Sequence, residues 1–462
     1  MTHRFRFVLI LAVAAFFLIA VYRHLFDVNS QYYFTWEWQW ISSARVYPLL
    51  LPLAIPFFAA QVIYLRRPNS VWIAITLCMV SLLALMIAGA VIQKDPPSFT
   101  RISDVVRSRW TSGYFREALW LRHENIGARQ LLVRYPSLVD HFYLHPRTKP
   151  PGPVLIEMTI IGLFGTGSGA AMISGFLIGS VAIFSIPGTF CLIRLLTGNR
   201  DAAFFGASYF ALCPAPVLFF PDFDPCYPIL TVAIIGLWIM AMRTNQARFS
   251  IALGFAYAIT AFITYLPGVL VFFLAGFAVY QIATNPQCTY GRVAKHFAIS
   301  FGTFVGCNFV FWLITGFNFI DTLTACMHQI DVLWKILYSM FPGGRHTLPG
   351  TIPTDLYDFA LGSGWISFVL VGCCLVSARK YKRPDDFWIA LLCVIQILAV
   401  AIFGLLQCET ARVWIFMLPL LMTPIGLELV NWRPWQRMAV YAALLLLTAA
   451  MCQSMTFIIS AV

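Results

Sequence analysis

The polar segment at residues 93–151 contains the residue types most able to do chemistry in this chain, and its flanks are strongly apolar. Arginine offers forked donors for phosphate oxygens and lysine offers a compact positive charge. A carboxylate beside such cations could act as a general base on a sugar hydroxyl. The segment therefore points to chemistry at a lipid phosphate or pyrophosphate, with an ordinary solvated loop as the alternative. Its candidate side chains are Asp104, Glu117, His145, Arg147 and Lys149.

Two smaller polar groups lie between apolar stretches. Asp222 and Asp224 stand two residues apart in a proline-bounded turn, where they could bind a divalent cation or an acceptor hydroxyl, or simply form a polar turn. Glu409 and Arg412 are three residues apart at a predicted helix start, so they share one helix face. Ionisable groups at span ends often have a function, and an intrahelical ion pair is the alternative.

Transmembrane helices must position these groups. The chain is 60% hydrophobic and 11% charged over 462 residues, whereas soluble domains are about 45–50% apolar and 25% charged. Its apolar runs are long and unbroken rather than alternating, which excludes a β-barrel pattern. The sequence predicts an all-α, polytopic bundle of about 12–14 spans, with residues 1–462 as a single integral membrane domain.

The apolar runs locate the spans. A stretch at 153–196 holds either two spans or three short ones, with breaks at 165–169 and at Pro187-Gly188. Long loops are predicted at 93–151, after the third span, and at 319–358. The other predicted spans lie near 7–22, 46–65, 71–92, 202–220, 227–242, 249–265, 267–283, 297–317, 359–377, 387–406, 411–430 and 438–458.

The net charge of +12 is concentrated in short connections, such as Arg66-Arg67, 243–248, 379–383 and 433–437. Short basic loops mark the cytoplasmic side of a membrane protein. This placement predicts that both long loops are extracytoplasmic. It also explains the charge without nucleic-acid binding, which we do not expect.

One motif carries a family resemblance. A helix with the pattern Tyr114-x-x-x-Ala118 is followed by His145-Pro-x-x-Lys149-Pro-Pro-Gly152 directly before an apolar helix. This order resembles the GT-C superfamily of membrane glycosyltransferases, in particular the bacterial branch of protein mannosyltransferase and aminoarabinose transferase relatives. Relatives carry an Asp about four residues before the Tyr, where this chain has Trp110.

The resemblance implies an enzyme that moves a sugar from a polyprenyl-phosphate carrier to an acceptor at the outer face of a bacterial inner membrane. It implies a carboxylate base, for which Asp104, Glu117 and Asp27 are the candidates. It also implies a donor-phosphate site, for which the candidates are His145, Arg147, Lys149, Glu409 and Arg412.

The expected partners are a lipid-linked sugar donor, a lipid, glycan or protein acceptor, and membrane lipids. No cofactor is required by the sequence, although a divalent cation could assist at Asp222 and Asp224. Two alternatives remain open: a transporter or flippase of a lipid-linked saccharide, and a polysaccharide polymerase or ligase. Transporters place ionisable residues at the bilayer midplane and have related halves, whereas this chain concentrates its charges in the loops.

Overall fold

A computed structural model describes residues 3–23, 36–38, 46–94, 96–340, 348–380, 383–407 and 409–457. In the N-terminal half the helices are α1 His3–Tyr22, α2 Val46–Leu53, α3 Ile55–Arg66, α4 Val71–Ile92, α5 Thr100–Arg107, α6 Tyr114–His123, α7 Ala128–Leu138, α8 Gly152–Phe164, α9 Ser168–Ala182, α10 Ser185–Thr197, α11 Arg200–Phe210 and α12 Pro214–Leu218.

In the C-terminal half the helices are α13 Tyr227–Thr244, α14 Ala247–Ile263, α15 Val271–Thr284, α16 Tyr290–Thr315, α17 Phe319–Met340, α18 Thr351–Ser363, α19 Ile366–Lys380, α20 Pro384–Ile402, α21 Thr410–Val413, α22 Leu418–Leu429 and α23 Pro434–Ser454. Two short strands, β1 Trp36–Trp38 and β2 Met455–Phe457, pair antiparallel, with Glu37 opposite Thr456.

The all-α polytopic fold class is confirmed. Within the described residues, 11 helical stretches are long and apolar enough to cross a membrane, or up to 12 if the bent pair α18–α19 forms one span. Helices α8 and α14 are apolar but shorter. A helix rises 1.5 Å per residue, so the 22 residues of α4 are sufficient for a hydrocarbon core of about 30 Å.

The stretch predicted at 153–196 forms three helices, α8, α9 and α10. The predicted break near Gly165 is present, because α8 ends at Phe164 and Gly165 has a φ of +87°. The second break lies just before Ser185 rather than at Pro187-Gly188, since proline is tolerated in the first turn of α10. Helices α9 and α10 together form one apolar stretch, Ser168–Thr197.

Two other segments differ from what the sequence predicts. The predicted loop at 319–358 contains the long helix α17 and the start of α18. The predicted span near 359–377 is bent, because α18 and α19 meet at 99°. The bend falls at Gly364 and Trp365, which both have positive φ values, +89° and +50°.

The described chain divides into two compact units. The first unit comprises residues 1–101, 178–232 and 351–457, and the second comprises 102–177 and 233–350. Both β strands and the polar groups around 222 and 409 lie in the first unit. The polar segment that ends in the proline-rich signature lies in the second, from residue 102 onward.

Helices α11 and α22 form the centre of the first unit. The stretches that contain them, Arg200–Leu218 and Thr410–Leu429, are each 94% buried. Their backbones approach so closely that a Cβ added to Gly426 would lie 2.1 Å from the Ala202 carbonyl oxygen. Only glycine fits there. This packing sets the positions of the chain just after α11–α12 and just before α22, where the polar groups lie.

Candidate functional site

A polar cavity of about 570 Å³ lies in the second unit. It is formed by the helices and turns of the segment that the sequence predicts as the 93–151 loop. Its size falls within the range of small-molecule sites, about 300–1,000 Å³. Three guanidinium groups face one carboxylate, and two imidazoles and two aromatic rings complete the lining. The lining residues are Arg107, Arg109, Arg116, Glu117, Leu119, Trp120, His123, His141 and Tyr143.

The cations of this arginine-rich cavity are crowded. Burial and then the nearby Arg109 lower the pKa of Arg116, so the two guanidinium groups disfavour each other's charge. Arg109 also lies 5.6 Å from the centre of the Tyr143 ring. An anion in the cavity would relieve the repulsion between the arginines, so the site is suited to a phosphate group.

Glu117 is the carboxylate of this cavity and is buried on α6. The Tyr143 backbone N–H donates to its Oε1 at 2.9 Å, which holds the segment after α7 against α6. Burial raises the pKa of Glu117, while the Tyr143 N–H and the neighbouring arginines lower it. A carboxylate with a raised pKa beside a cavity has the character of a general base.

The His145–Gly152 signature has a fixed position in the second unit. The Tyr135 hydroxyl donates to the carbonyl oxygens of Pro146, at 3.2 Å, and Lys149, at 2.8 Å. A Cβ added to Gly152 would lie 2.3 Å from the Phe262 carbonyl oxygen, so α8 begins in close contact with the end of α14. These contacts hold both ends of the segment in place.

The predicted phosphate ligands of this segment lie outside the lining of the arginine-rich cavity. Arg147 donates from Nη2 to the Asp140 carbonyl oxygen at 2.6 Å and from Nε to that of Val139 at 3.4 Å. Its guanidinium thus closes the backbone turn before the signature. His145 and Lys149 are half-buried. Phosphate binding by these three residues stays a prediction.

The three predicted catalytic carboxylates have different positions. Glu117 lines the cavity, whereas Asp104 lies half-buried on α5 and is not among the lining residues. Asp27 falls outside the described residues. Of the candidates that can be placed, Glu117 is the one that lines the arginine-rich cavity.

The other four predicted residues come together in the first unit. Nη1 of Arg412 lies 2.7 Å from Asp222 and 3.0 Å from Asp224, and its Nε lies 3.1 Å from Glu409. Nη2 of Arg412 also donates to Glu409. We call these residues the Arg412 cluster. All four residues are at least 95% buried.

The Arg412 cluster contains three carboxylates and only one guanidinium group. Burial and the adjacent Asp224 raise the pKa of Asp222 to about 7, although Arg412 opposes this shift. Because the guanidinium already binds three carboxylates, a phosphate would have to displace them. The guanidinium also fills the space among the carboxylates that a cation would need, and within the described residues no group of three or more His, Cys, Asp or Glu side chains is placed to hold a metal ion.

Asp358 on α18 is a residue that sequence analysis missed. Its Oδ2 accepts from the Ala411 backbone N–H at 2.9 Å and from the Thr410 hydroxyl at 3.3 Å. It therefore holds the start of α21, which carries Arg412. The arginines at 107, 109 and 116 were also missed as individual ligands. The only signal in the sequence was the arginine content of the segment.

The chain is similar to several solved structures. One is ArnT from Cupriavidus metallidurans bound to undecaprenyl phosphate, with a TM-score of 0.47 and 14% identity, covering 80% of this chain and 62% of that one. Another is AglB, the archaeal oligosaccharyltransferase from Archaeoglobus fulgidus, in complex with an inhibitory peptide and a dolichol-phosphate, with a TM-score of 0.45 and 13% identity, covering 84% and 57%.

The chain spans about three-fifths of the length of these proteins. At these TM-scores the similarity transfers no site residue, substrate or activity to this chain. No protein-family model and no curated protein matches the sequence.

Proposed function

We propose that this chain is a glycosyltransferase that moves a sugar from a polyprenyl-phosphate carrier to an acceptor hydroxyl at the outer face of the membrane. The observation that supports the proposal most is the arginine-rich cavity, in which three guanidinium groups, one buried carboxylate and two aromatic rings meet. The resemblance of the His145–Gly152 signature points to the same activity. The carrier class and the acceptor belong to the proposal.

The cavity could stabilise the leaving group. In a single displacement, the acceptor oxygen bonds to the sugar C1 as the bond from C1 to the phosphate oxygen breaks. Negative charge then grows on the carrier phosphate, where Arg107, Arg109 and Arg116 would stabilise it. The stabilisation is larger at the transition state than in the bound substrate, so it would speed the reaction rather than only strengthen binding.

Glu117 is the best-placed base. It would accept the proton that the acceptor hydroxyl loses, and the products would be the glycosylated acceptor and the polyprenyl phosphate. The hydrogen bond that the Tyr143 N–H donates to Glu117 holds the carboxylate in place. The carboxylate can still accept a further hydrogen bond from a hydroxyl. Asp104 and Asp27 are the alternatives if Glu117 has only a structural role.

Charge placement in the first unit supports an outer-face site. Tyr64, next to the basic Arg66-Arg67 turn, donates to Asp201 at 2.5 Å, and Arg200 donates to the Pro68 carbonyl oxygen at 2.7 Å. The α3–α4 turn and the start of α11 therefore share one basic, predicted cytoplasmic end. The third span leads away from this end, so the segment after α4 would be extracytoplasmic. A bacterial inner membrane would fit this topology.

The test is sugar transfer by the purified protein in liposomes, with radiolabelled polyprenyl-phosphate sugars and mixed acceptors. Wild type would be compared with Glu117→Gln, Asp104→Asn and the exposed control Arg129→Gln. We expect transfer by wild type and the control but not by Glu117→Gln. Loss in Asp104→Asn alone would reassign the base. Label that crosses the bilayer without any transfer would refute the enzyme and favour a transporter.

A further inference from the structure

A second group of cations lies in the second unit, at the connections between α13 and α14 and between α15 and α16. The sequence contains no Asp or Glu between Asp224 and Asp321. Across these helices the only formal charges are positive. They are carried by Arg243, Arg248, Arg292 and Lys295.

A buried polar network joins the two connections. The Ser250 hydroxyl lies 2.6 Å from Nδ1 of His296, and Nε2 of His296 lies 3.0 Å from the Asn245 amide oxygen. Ser250 and His296 are completely buried. These contacts fix the start of α14 against the start of α16, so the cations of both connections lie at one end of this helix pair.

The cations are available to a ligand from outside. Arg248 and Lys295 are exposed, and Arg292 is half-buried. Arg248 packs over the Phe249 ring at 4.9 Å, and Arg292 donates to the Gln287 carbonyl oxygen at 3.3 Å. Within the described chain, none of these three forms an ion pair with a carboxylate.

Cations at the predicted cytoplasmic end of the first unit have different partners. Arg6 is buried against Glu428, and Arg383 lies 3.2 Å from Asp386. Protein carboxylates compensate these two cations, whereas Arg4, Arg66 and Arg67 at the same end are exposed. In the acid-free stretch of the second unit, the helices that carry Arg248, Arg292 and Lys295 supply no carboxylate of their own.

We propose that Arg248, Arg292 and Lys295 form a binding surface for the phosphate headgroups of anionic phospholipids in the cytoplasmic leaflet. Short basic connections place these residues on that side, where anionic lipids attract basic residues. The surface continues directly into apolar side chains on α16: Tyr290 is 79% exposed and Phe297 is 62% exposed. A lipid presents phosphate and acyl chain together, which matches cations bordered by exposed aromatic rings better than a free anion does.

The experiment measures how many phosphatidylglycerol molecules the intact protein retains in native mass spectrometry, after reconstitution in mixed phosphatidylcholine and phosphatidylglycerol. The test variant is Arg248→Gln/Arg292→Gln/Lys295→Gln. The matched control is Arg4→Gln/Arg66→Gln/Arg67→Gln, which removes three exposed positive charges from the basic N-terminus and the α3–α4 turn. Thermal stability in pure phosphatidylcholine checks that both variants fold.

We expect the test variant to bind phosphatidylglycerol on the order of a hundredfold more weakly, at about fivefold per cation. The control should retain lipid as wild type does. Equal loss in both variants would mean general attraction to the leaflet and would overturn the site. Unchanged retention in the test variant would also overturn it, as would displacement of the lipid by millimolar glycerol phosphate, which would indicate a site for free phosphate.

Discussion

The arginine-rich cavity and the Arg412 cluster use the same two chemical groups in opposite proportions. The cavity has three arginines to one carboxylate and opens to a volume of about 570 Å³. The Arg412 cluster has one arginine to three carboxylates and is buried. A guanidinium that lines an open cavity can bind a ligand, whereas one surrounded by protein carboxylates stabilises the fold. The partners of an arginine, rather than its presence, therefore indicate its role.

The largest expected effect is on catalysis at the cavity. Glu117→Gln keeps an acceptor for the Tyr143 N–H but removes the base, so transfer should fall about 10²- to 10⁴-fold. Wild-type activity should rise with pH through the raised pKa of Glu117, because only the ionised form accepts a proton. Initial rates from pH 5 to 8 would check this. A Glu117→Gln variant with wild-type rates would remove Glu117 from the mechanism.

The next effect is on stability at the Arg412 cluster. Arg412→Met would leave three buried carboxylates without a cation and should lower the free energy of unfolding by about 3–5 kcal/mol. Thermal unfolding in detergent would measure it, with the exposed Arg433→Met as control, expected within about 0.5 kcal/mol of wild type. Adding Asp224→Asn to Arg412→Met should recover part of the loss. Wild-type stability in Arg412→Met would contradict a stabilising role for the cluster.

Removing a cavity arginine should weaken ligand binding and leave stability unchanged, whereas removing Arg412 should lower stability. Arg109→Gln and Arg116→Gln should each weaken the binding of sugar-free polyprenyl phosphate about 10- to 100-fold, as expected for lost hydrogen bonds between charged groups. Their thermal midpoints should stay close to wild type. Tryptophan fluorescence titration would follow binding, because Trp120 lines the cavity. Exposed Arg129→Gln on α7 is the control, and equal weakening there would exclude a localised phosphate site.

The most gradual effect is the pH dependence of the Arg412 cluster, because it is spread over about three pH units. Burial and Asp224 raise the pKa of Asp222 to about 7, above its value near 3.9 in an unfolded chain. Between these values the folded state binds more protons, so stability should fall as pH rises from about 4 to 7 and then level off. The slope is at most about 1.4 kcal/mol per pH unit for one group. Thermal midpoints of Asp222→Asn should depend less on pH, and an equally steep dependence would contradict the assignment.

The membrane fold could be predicted from sequence because each span is a local property. A run of about 20 apolar residues must satisfy its backbone within one helix in lipid, and most predicted spans match the helices observed. The errors fall where packing acts. Helices α18 and α19 meet at 99° at Gly364 and Trp365, and α17 replaces part of a predicted loop. No apolar run encodes such a bend.

The candidate site was predictable only in part. Sequence identified the polar segment, Glu117 and the four residues of the Arg412 cluster, because charges in an apolar chain are few. It did not identify Arg107, Arg109 and Arg116 as a set, since Arg107 lies on α5, Arg116 lies on α6 and Arg109 lies in the turn between them, and only the fold shows that all three line one cavity.

By itself, the sequence determined the membrane environment, the helical class, the connections that carry the basic residues and the list of ionisable residues. Tertiary structure decided which of these residues face each other. Asp222 and Arg412 are 190 positions apart, yet lie 2.7 Å from one another. Hydropathy depends on each residue and its near neighbours, whereas the charge balance of a site depends on contacts between distant parts of the chain.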